Sequence, residues 1–203
     1  VYVSKIKFPF FLCLHPFKGF EELKQEKQGM LWFSNVILVF WFIMEILIYQ
    51  YVGFQFNGNR LDRMNIFIIL GSTIGVHFLW SVCNWAVCTL FDGKGSFKEV
   101  WIFSSYARLA YVLIFIPILI LSNVLVRDEY FFISLVENAA TIWFAVSTFV
   151  AIKAVHQYSF WKTVGSILLT ILGMVLVVLI LLLFVSLFAQ MYSFVQTIFQ
   201  EIL

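Results

Sequence analysis

Five stretches of the chain are almost continuously apolar, at about 29–52, 64–91, 100–126, 130–155 and 163–190. Each exceeds the ~20 residues that ~30 Å of hydrocarbon requires at a helical rise of ~1.5 Å per residue. None alternates apolar and polar positions as a barrel strand does. Backbone groups in lipid must bond internally, so the pattern predicts five membrane-spanning helices. The third and fourth are separated only by Arg127, Asp128 and Glu129, which predicts a tight helical hairpin, and Pro117 predicts a kink in the third.

Ahead of the first span the period changes. Phe17, Phe20 and Leu23 recur at helical spacing, with Lys18, Glu21, Glu22 and Gln25 filling the other positions. This predicts a short amphipathic helix, lying either in the membrane interface or against the protein itself. The expected architecture is an all-α membrane protein. A cytosolic segment, 1–28, carries the interfacial helix, and a five-span bundle fills 29–203.

Composition strengthens this reading. The chain has 203 residues, 63% hydrophobic and 12% charged, with a mean hydropathy of +0.98. Soluble proteins are about half apolar and about a quarter charged, and a soluble fold of this size still exposes much of its surface to water. The net charge of +2 is too small to suggest nucleic acid as a partner. The three cysteines have no paired spacing, and Cys83 and Cys88 sit within an apolar run, as small buried hydrophobes do.

Charge also predicts the threading. Lys5, Lys7, Lys18, Lys24 and Lys27 precede the first span, and Lys94, Lys98, Lys153 and Lys162 lie in two later connections, nine on one side. Arg60, Arg63 and Arg127 make three on the other. The N-terminus is expected in the cytosol and the C-terminus across the membrane. All loops are short, which leaves no room for a soluble catalytic domain.

The connection after the second span reads Asp92-Gly93-Lys94-Gly95-Ser96-Phe97-Lys98. A nucleotide-binding Walker loop needs a lysine after its second glycine and a strand before the first; this segment has neither. The glycines suit a tight reversal. Ser96 and Glu99 have the spacing of a capping box for the third span, and Lys94 and Lys98 can meet anionic headgroups.

"FDGKGSFKEV" followed by "YARLAY" resembles the signature of the Yip1 domain family. "HPFKGFEELKQEKQG" at the N-terminus is similar to the entry segment of its bacterial branch, and "SNVL" at 122–125 and "HQYSFWKT" at 156–163 fit the same pattern. The resemblance implies five spans with a cytosolic N-terminus in a bacterial plasma membrane. It also suggests companionship with ABC-type solute importers. As a bacterial-type member the chain is expected to do without the long N-terminal domain that accompanies the trafficking role of eukaryotic relatives.

Ionisable side chains inside spans are costly and therefore paired or functional. Counting ~1.5 Å per residue from each span's cytosolic edge predicts an inner layer of Asn35, Asn84 and Arg108 at ~9–12 Å. An outer layer of Glu45, His77 and Glu137 is expected at ~20–24 Å, with Asn138 nearby. A histidine flanked by carboxylates can relay protons or hold a cation; a buried hydrogen-bonded cluster that fixes helix register uses the same residues. Gly71 and Gly75 form a GxxxG face on the second span, which predicts close approach of another helix; Gly165, Ser166, Thr170 and Gly173 offer a similar face on the fifth.

No nucleophile, base and acid share a depth, and no metal-ligand spacing emerges. The expectation is a non-enzymatic accessory or scaffold subunit without cofactor or metal, in contact with lipid and other integral membrane subunits. Alternatives are an independent ion- or proton-coupled transporter or channel using the outer layer, and a trafficking or membrane-shaping factor.

Overall fold

The computed structural model describes the backbone of residues 8–59 and 63–202. Lys5, Lys7 and Arg60, used in the charge count, lie outside the described residues. Seven helices are present among the described residues: α1 Phe8–Leu14, α2 Pro16–Gln25, α3 Leu31–Tyr51, α4 Ile66–Leu90, α5 Phe97–Ser122, α6 Tyr130–His156 and α7 Phe160–Ile202. The last five are long and apolar enough to cross a membrane, as the hydropathy pattern predicts.

Local chemistry sets several boundaries. Asn65 starts α4, its Oδ1 accepting from the Phe67 amide at 2.9 Å. Ser96 starts α5 in a full capping box: its amide donates to Glu99 Oε2 at 2.9 Å, and its Oγ accepts from the Glu99 amide at 3.4 Å. Gln157 ends α6 in the left-handed conformation, with φ of 57°. After Gly173, α7 holds no glycine, proline or charge until Glu201, so nothing stops it near 190 and it runs on to Ile202.

α5 is the axis of the bundle. It pairs with α6 as the predicted hairpin, with α3 alongside and parallel to it, and α4 packs on it antiparallel. Chain alternation gives the bundle two ends. The lysine end carries α1, α2, the 91–96 turn and the α6–α7 junction. The opposite end carries the α3–α4 and α5–α6 connections. There the Gly53 amide donates to Ser122 Oγ at 3.0 Å, and Asn123 Nδ2 donates to the Tyr51 carbonyl at 2.9 Å. A side chain at Gly53 would meet the Ser122 carbonyl oxygen at 1.8 Å, so this crossing requires glycine.

The larger core sits toward the lysine end. Phe8 and Leu12 of α1 and Phe20 and Leu23 of α2 are buried against Val100, Phe103, Tyr106 and Ala107 of α5 and Val150, Ala151 and Val155 of α6. Of the two placements open for the amphipathic helix, the structure shows the protein-facing one: the apolar face of α2 points into the bundle, although Phe17 stays exposed. α1 was not anticipated, because Pro9 interrupts its short apolar run; a proline in the first turn costs a helix nothing. The chain leaves α2 for α3 under Tyr106, whose Oη accepts from the Met30 amide at 3.1 Å.

The GxxxG face meets no helix of this chain. Gly71–Gly75 is a π-helical turn inside α4, and Thr73 Oγ1 donates to the Ile69 carbonyl at 2.7 Å. A side chain at Gly71 would find nothing within 4 Å, and one at Gly75 only the Leu70 carbonyl at 3.8 Å, so no helix of this chain packs on this face. The small face that does pack is on α7, where Ser166 and Thr170 are buried and a side chain at Gly173 would reach Cys83 of α4 at 3.9 Å.

Candidate functional site: a polar clasp at the lysine end and an arginine within the bundle

The turn between α4 and α5 is clasped by the α6–α7 junction. Asp92 takes a positive φ of 55°, and the Gly93 amide donates to the Cys88 carbonyl at 2.8 Å, reversing the chain. His156 and Tyr158 then fill the concavity. Tyr158 Oη lies 2.9 Å from the Cys88 carbonyl oxygen, which also accepts from the Gly93 amide, and 3.0 Å from the Phe91 carbonyl oxygen, so its one proton is shared between two acceptors at the end of α4. His156 Nδ1 lies 3.4 Å from the Gly95 amide, and His156 Nε2 3.2 Å from Asn84 Oδ1. With Nδ1 accepting, Nε2 carries the proton and donates to Asn84. Asn84 Nδ2 donates to Thr170 Oγ1 at 3.0 Å, and Thr170 in turn donates to the Ser166 carbonyl at 2.7 Å. The chain of bonds thus joins the turn, α6, α4 and α7.

The two glycines make this contact possible. A Cβ at Gly93 would lie 2.6 Å from His156 Nδ1, 2.7 Å from Tyr158 Oη and 2.8 Å from the Cys88 carbonyl oxygen. A Cβ at Gly95 would lie 2.9 Å from His156 Cε1. Burial, aided by the neighbouring Cys88 thiol and the Asp92 carboxylate, holds the Tyr158 phenol above its ordinary range, so it stays a donor. Lys162 Nζ sits 4.6 Å over the Tyr158 ring. Lys94, Ser96, Phe97 and Lys98 complete the segment. Ser96 caps α5, and Phe97 joins an aromatic group with Phe78, Trp85 and Trp101. The turn is a structural clasp built around glycine.

The intramembrane polar residues do not form the two layers expected from depth. Asn35 Oδ1 accepts from Trp101 Nε1 at 3.0 Å, Asn84 belongs to the clasp, and Arg108 stacks on Trp41, with the guanidinium carbon 3.7 Å from the ring centroid. His77 Nε2 lies 3.1 Å from Ser105 Oγ, and its ring meets Trp101 edge-on at 4.7 Å. It therefore lies level with Asn35 and not with the carboxylates. Glu45 Oε1 accepts from Trp41 Nε1 at 2.9 Å within α3, while Asn138 is exposed and bonds back to the Ser134 carbonyl of α6. Glu137 lies one turn before Thr141, which donates to its carbonyl at 2.9 Å.

The misalignment has a simple cause. The pairs His77–Ser105 and Trp80–Ser104 set the antiparallel register of α4 on α5. Continued along the helices, that register puts Phe97 level with about residue 85, so α4 overruns the start of α5 by ~7 Å. Depths counted from each helix's own end are offset by that amount. Ser81, four residues from His77, donates to the His77 carbonyl at 2.9 Å and has no part in a dyad. Among the described residues, no group of three His, Cys, Asp or Glu side chains is placed to hold a metal ion. Cys13 is a thiol pushed up by burial to about 12.

His156, Tyr158 and Thr170 were missed as partners of the turn. The available signal was the pair of glycines two residues apart, which marks a close approach by something, together with a histidine and a tyrosine at the next junction on the same side.

An all-helical bundle of five apolar spans, tied at one end by two short helices and a glycine-dependent clasp, defines a multi-pass integral membrane protein. The chain belongs to the Yip1 domain family, whose model matches residues 11–183 and so takes in the clasp and α7 as far as Leu183, but not the far part of that helix. No curated protein and no solved structure matches it.

Proposed function

We propose that the protein is a non-enzymatic scaffold or accessory subunit, docking another integral membrane subunit along the far part of α7. One observation carries the reading. The most apolar stretch of α7 is only 6% buried, and from Val178 to Phe199 its large apolar side chains are exposed on every side. The 43 residues of α7 span ~65 Å at helical rise, about twice the hydrocarbon thickness. Bilayer alone would cover that length only at a tilt of ~60°, beyond the usual range of about 0–40°. The remaining apolar length calls for a second apolar surface, and the helices of another subunit supply one.

The lysine end lies in the cytosol in this reading, with the C-terminus on the far side of a bacterial plasma membrane. An ABC-type solute importer is the partner class that the bacterial-type resemblance suggests. A proton or cation path through Glu45, His77 and Glu137 has less support, since His77 is engaged by Ser105.

Purification of the full chain from its own membranes in mild detergent tests the proposal. A heterologous integral membrane subunit is expected in fixed ratio, lost when Phe184 and Phe188 are both changed to serine. A lone monomer overturns the scaffold reading. A homo-oligomer assigns the far part of α7 to a second copy and overturns the accessory role.

A further inference from the structure

Arg108 has an arrangement that packing alone does not explain. Its side chain is 9% exposed, inside the bundle, where a cation is costly. Stacking on Trp41 at 3.7 Å and Phe144 at 5.1 Å stabilises the guanidinium by cation–π attraction, but ring faces leave its N–H groups unbonded. Nε and Nη1 are both buried without a hydrogen-bond partner. Glu45 makes no ion pair with it; that carboxylate is held by Trp41 Nε1 at 2.9 Å, and the one ion pair among the described residues is Lys24–Glu99. A guanidinium carries five donors in a fixed fork that fits the oxygens of a carboxylate or a phosphate.

Arg108 lines a cavity of about 420 Å³ between α4, α5, α6 and α7. A second unsatisfied polar atom, Thr148 Oγ1, lines the same cavity. The rest of the wall is mainly apolar, including Trp80, Phe144, Ile171 and Met174. Its margin is open toward the lipid side, where Thr141, Ala145 and Ile171 are exposed. The cavity therefore combines a cationic fork, a hydroxyl and a greasy wall with lateral access. From Phe97, Arg108 lies ~17 Å along α5, so an anion reaching it is carried on a chain that is itself soluble in hydrocarbon.

We infer that the Arg108 cavity binds an acyl-chain amphiphile with an oxyanion head, the head taken by Arg108 and Thr148 and the chain by the apolar wall. The carboxylate of a long-chain fatty acid and the phosphate of phosphatidate both have this chemistry. This site is separate from the far part of α7, and its test does not depend on any partner subunit.

Native mass spectrometry of the full chain in detergent provides the test, with palmitate, phosphatidate and uncharged diacylglycerol supplied in equal excess. Retention of one palmitate or one phosphatidate per chain is expected, about tenfold over diacylglycerol, and whichever is better retained identifies the source. Arg108→Gln should lower that retention about tenfold, and Thr148→Val about threefold. Diacylglycerol retained as well as both acids overturns the proposal, as does unchanged retention in Arg108→Gln. Should Arg108→Gln fail to fold, Thr148→Val decides: the arginine is intact there, and unchanged retention overturns the site.

Discussion

The two ends of this chain are both apolar, yet they are used in opposite ways. At the lysine end, α1 and α2 are short, α2 is amphipathic, and Phe8, Leu12, Phe20 and Leu23 are each at most 1% exposed. In the far part of α7, Phe184, Phe188, Phe194 and Phe199 are each more than half exposed. Hydrophobicity alone does not distinguish these phenylalanines. What differs is shape and polar punctuation. Two short helices broken by His15 and Gly29 can fold back on α5 and α6, and the glycine clasp fixes the surface they meet. An uninterrupted helix has no such freedom and keeps its apolar surface outward. The lysine end is thus the self-contained part of the fold, and the far part of α7 depends on its surroundings.

The sharpest break of this comparison is a pair of identical substitutions. Phe20→Ala removes a ring at 0% exposure that packs 5.7 Å from the Phe103 ring. It should destabilise the chain by about 3–4 kcal/mol. Phe188→Ala, at 65% exposure, should change the stability of the isolated chain by less than about 0.5 kcal/mol. Unfolding of both variants in the same detergent measures the difference, and equal losses would mean that α7 folds against the bundle in solution.

A second pair uses glycine. Gly93→Ala puts a methyl group against His156, Tyr158 and the Cys88 carbonyl, none of which can yield without breaking a bond of the clasp. A loss of about 2–3 kcal/mol is expected. Gly165→Ala, where nothing lies within 4 Å, should leave stability unchanged or raise it by up to about 1 kcal/mol through helix propensity. Thermal unfolding separates the two, and a harmless Gly93→Ala would contradict the clasp.

Which features the sequence revealed follows from how local their causes are. The spans were legible because ~20 apolar residues in a row have one good solution in lipid. The capping box was legible because Ser96 and Glu99 are three residues apart and need no other element. The clasp was not, since His156 and Gly95 are 61 positions apart and their meeting depends on the register of three helices. Gly71 and Gly75 show the converse within the chain. Small residues permit close approach, but whether a helix arrives is decided elsewhere, and here α7 meets α4 through Cys83 and Asn84 instead. The depth estimates failed at His77 because they count from each helix's own lysine-side end, and α4 ends beyond the level at which α5 starts.

The smallest expected effect concerns what holds α2 in place besides its apolar face. Lys24 Nζ donates to Glu99 Oε1 at 2.6 Å, with side chains 15% and 33% exposed, so the pair is neither fully wet nor fully buried. Exposed pairs contribute ~0–1 kcal/mol, and breaking buried ones costs about 3–5 kcal/mol. Glu99 also caps α5 through Ser96, so a single substitution there would mix two effects. Glu99→Gln keeps an amide oxygen for the Ser96 amide and removes only the charge, while Lys24→Met keeps the apolar stem. A double-mutant cycle on these two should give a coupling of about 1 kcal/mol, falling as salt is raised. A coupling indistinguishable from zero at low salt would leave the burial of Phe20 and Leu23 as the tie between α2 and the spans. Loss of α2 docking in Lys24→Met alone, read as new protease cleavage near Lys27, would instead make the ion pair the latch of the lysine end.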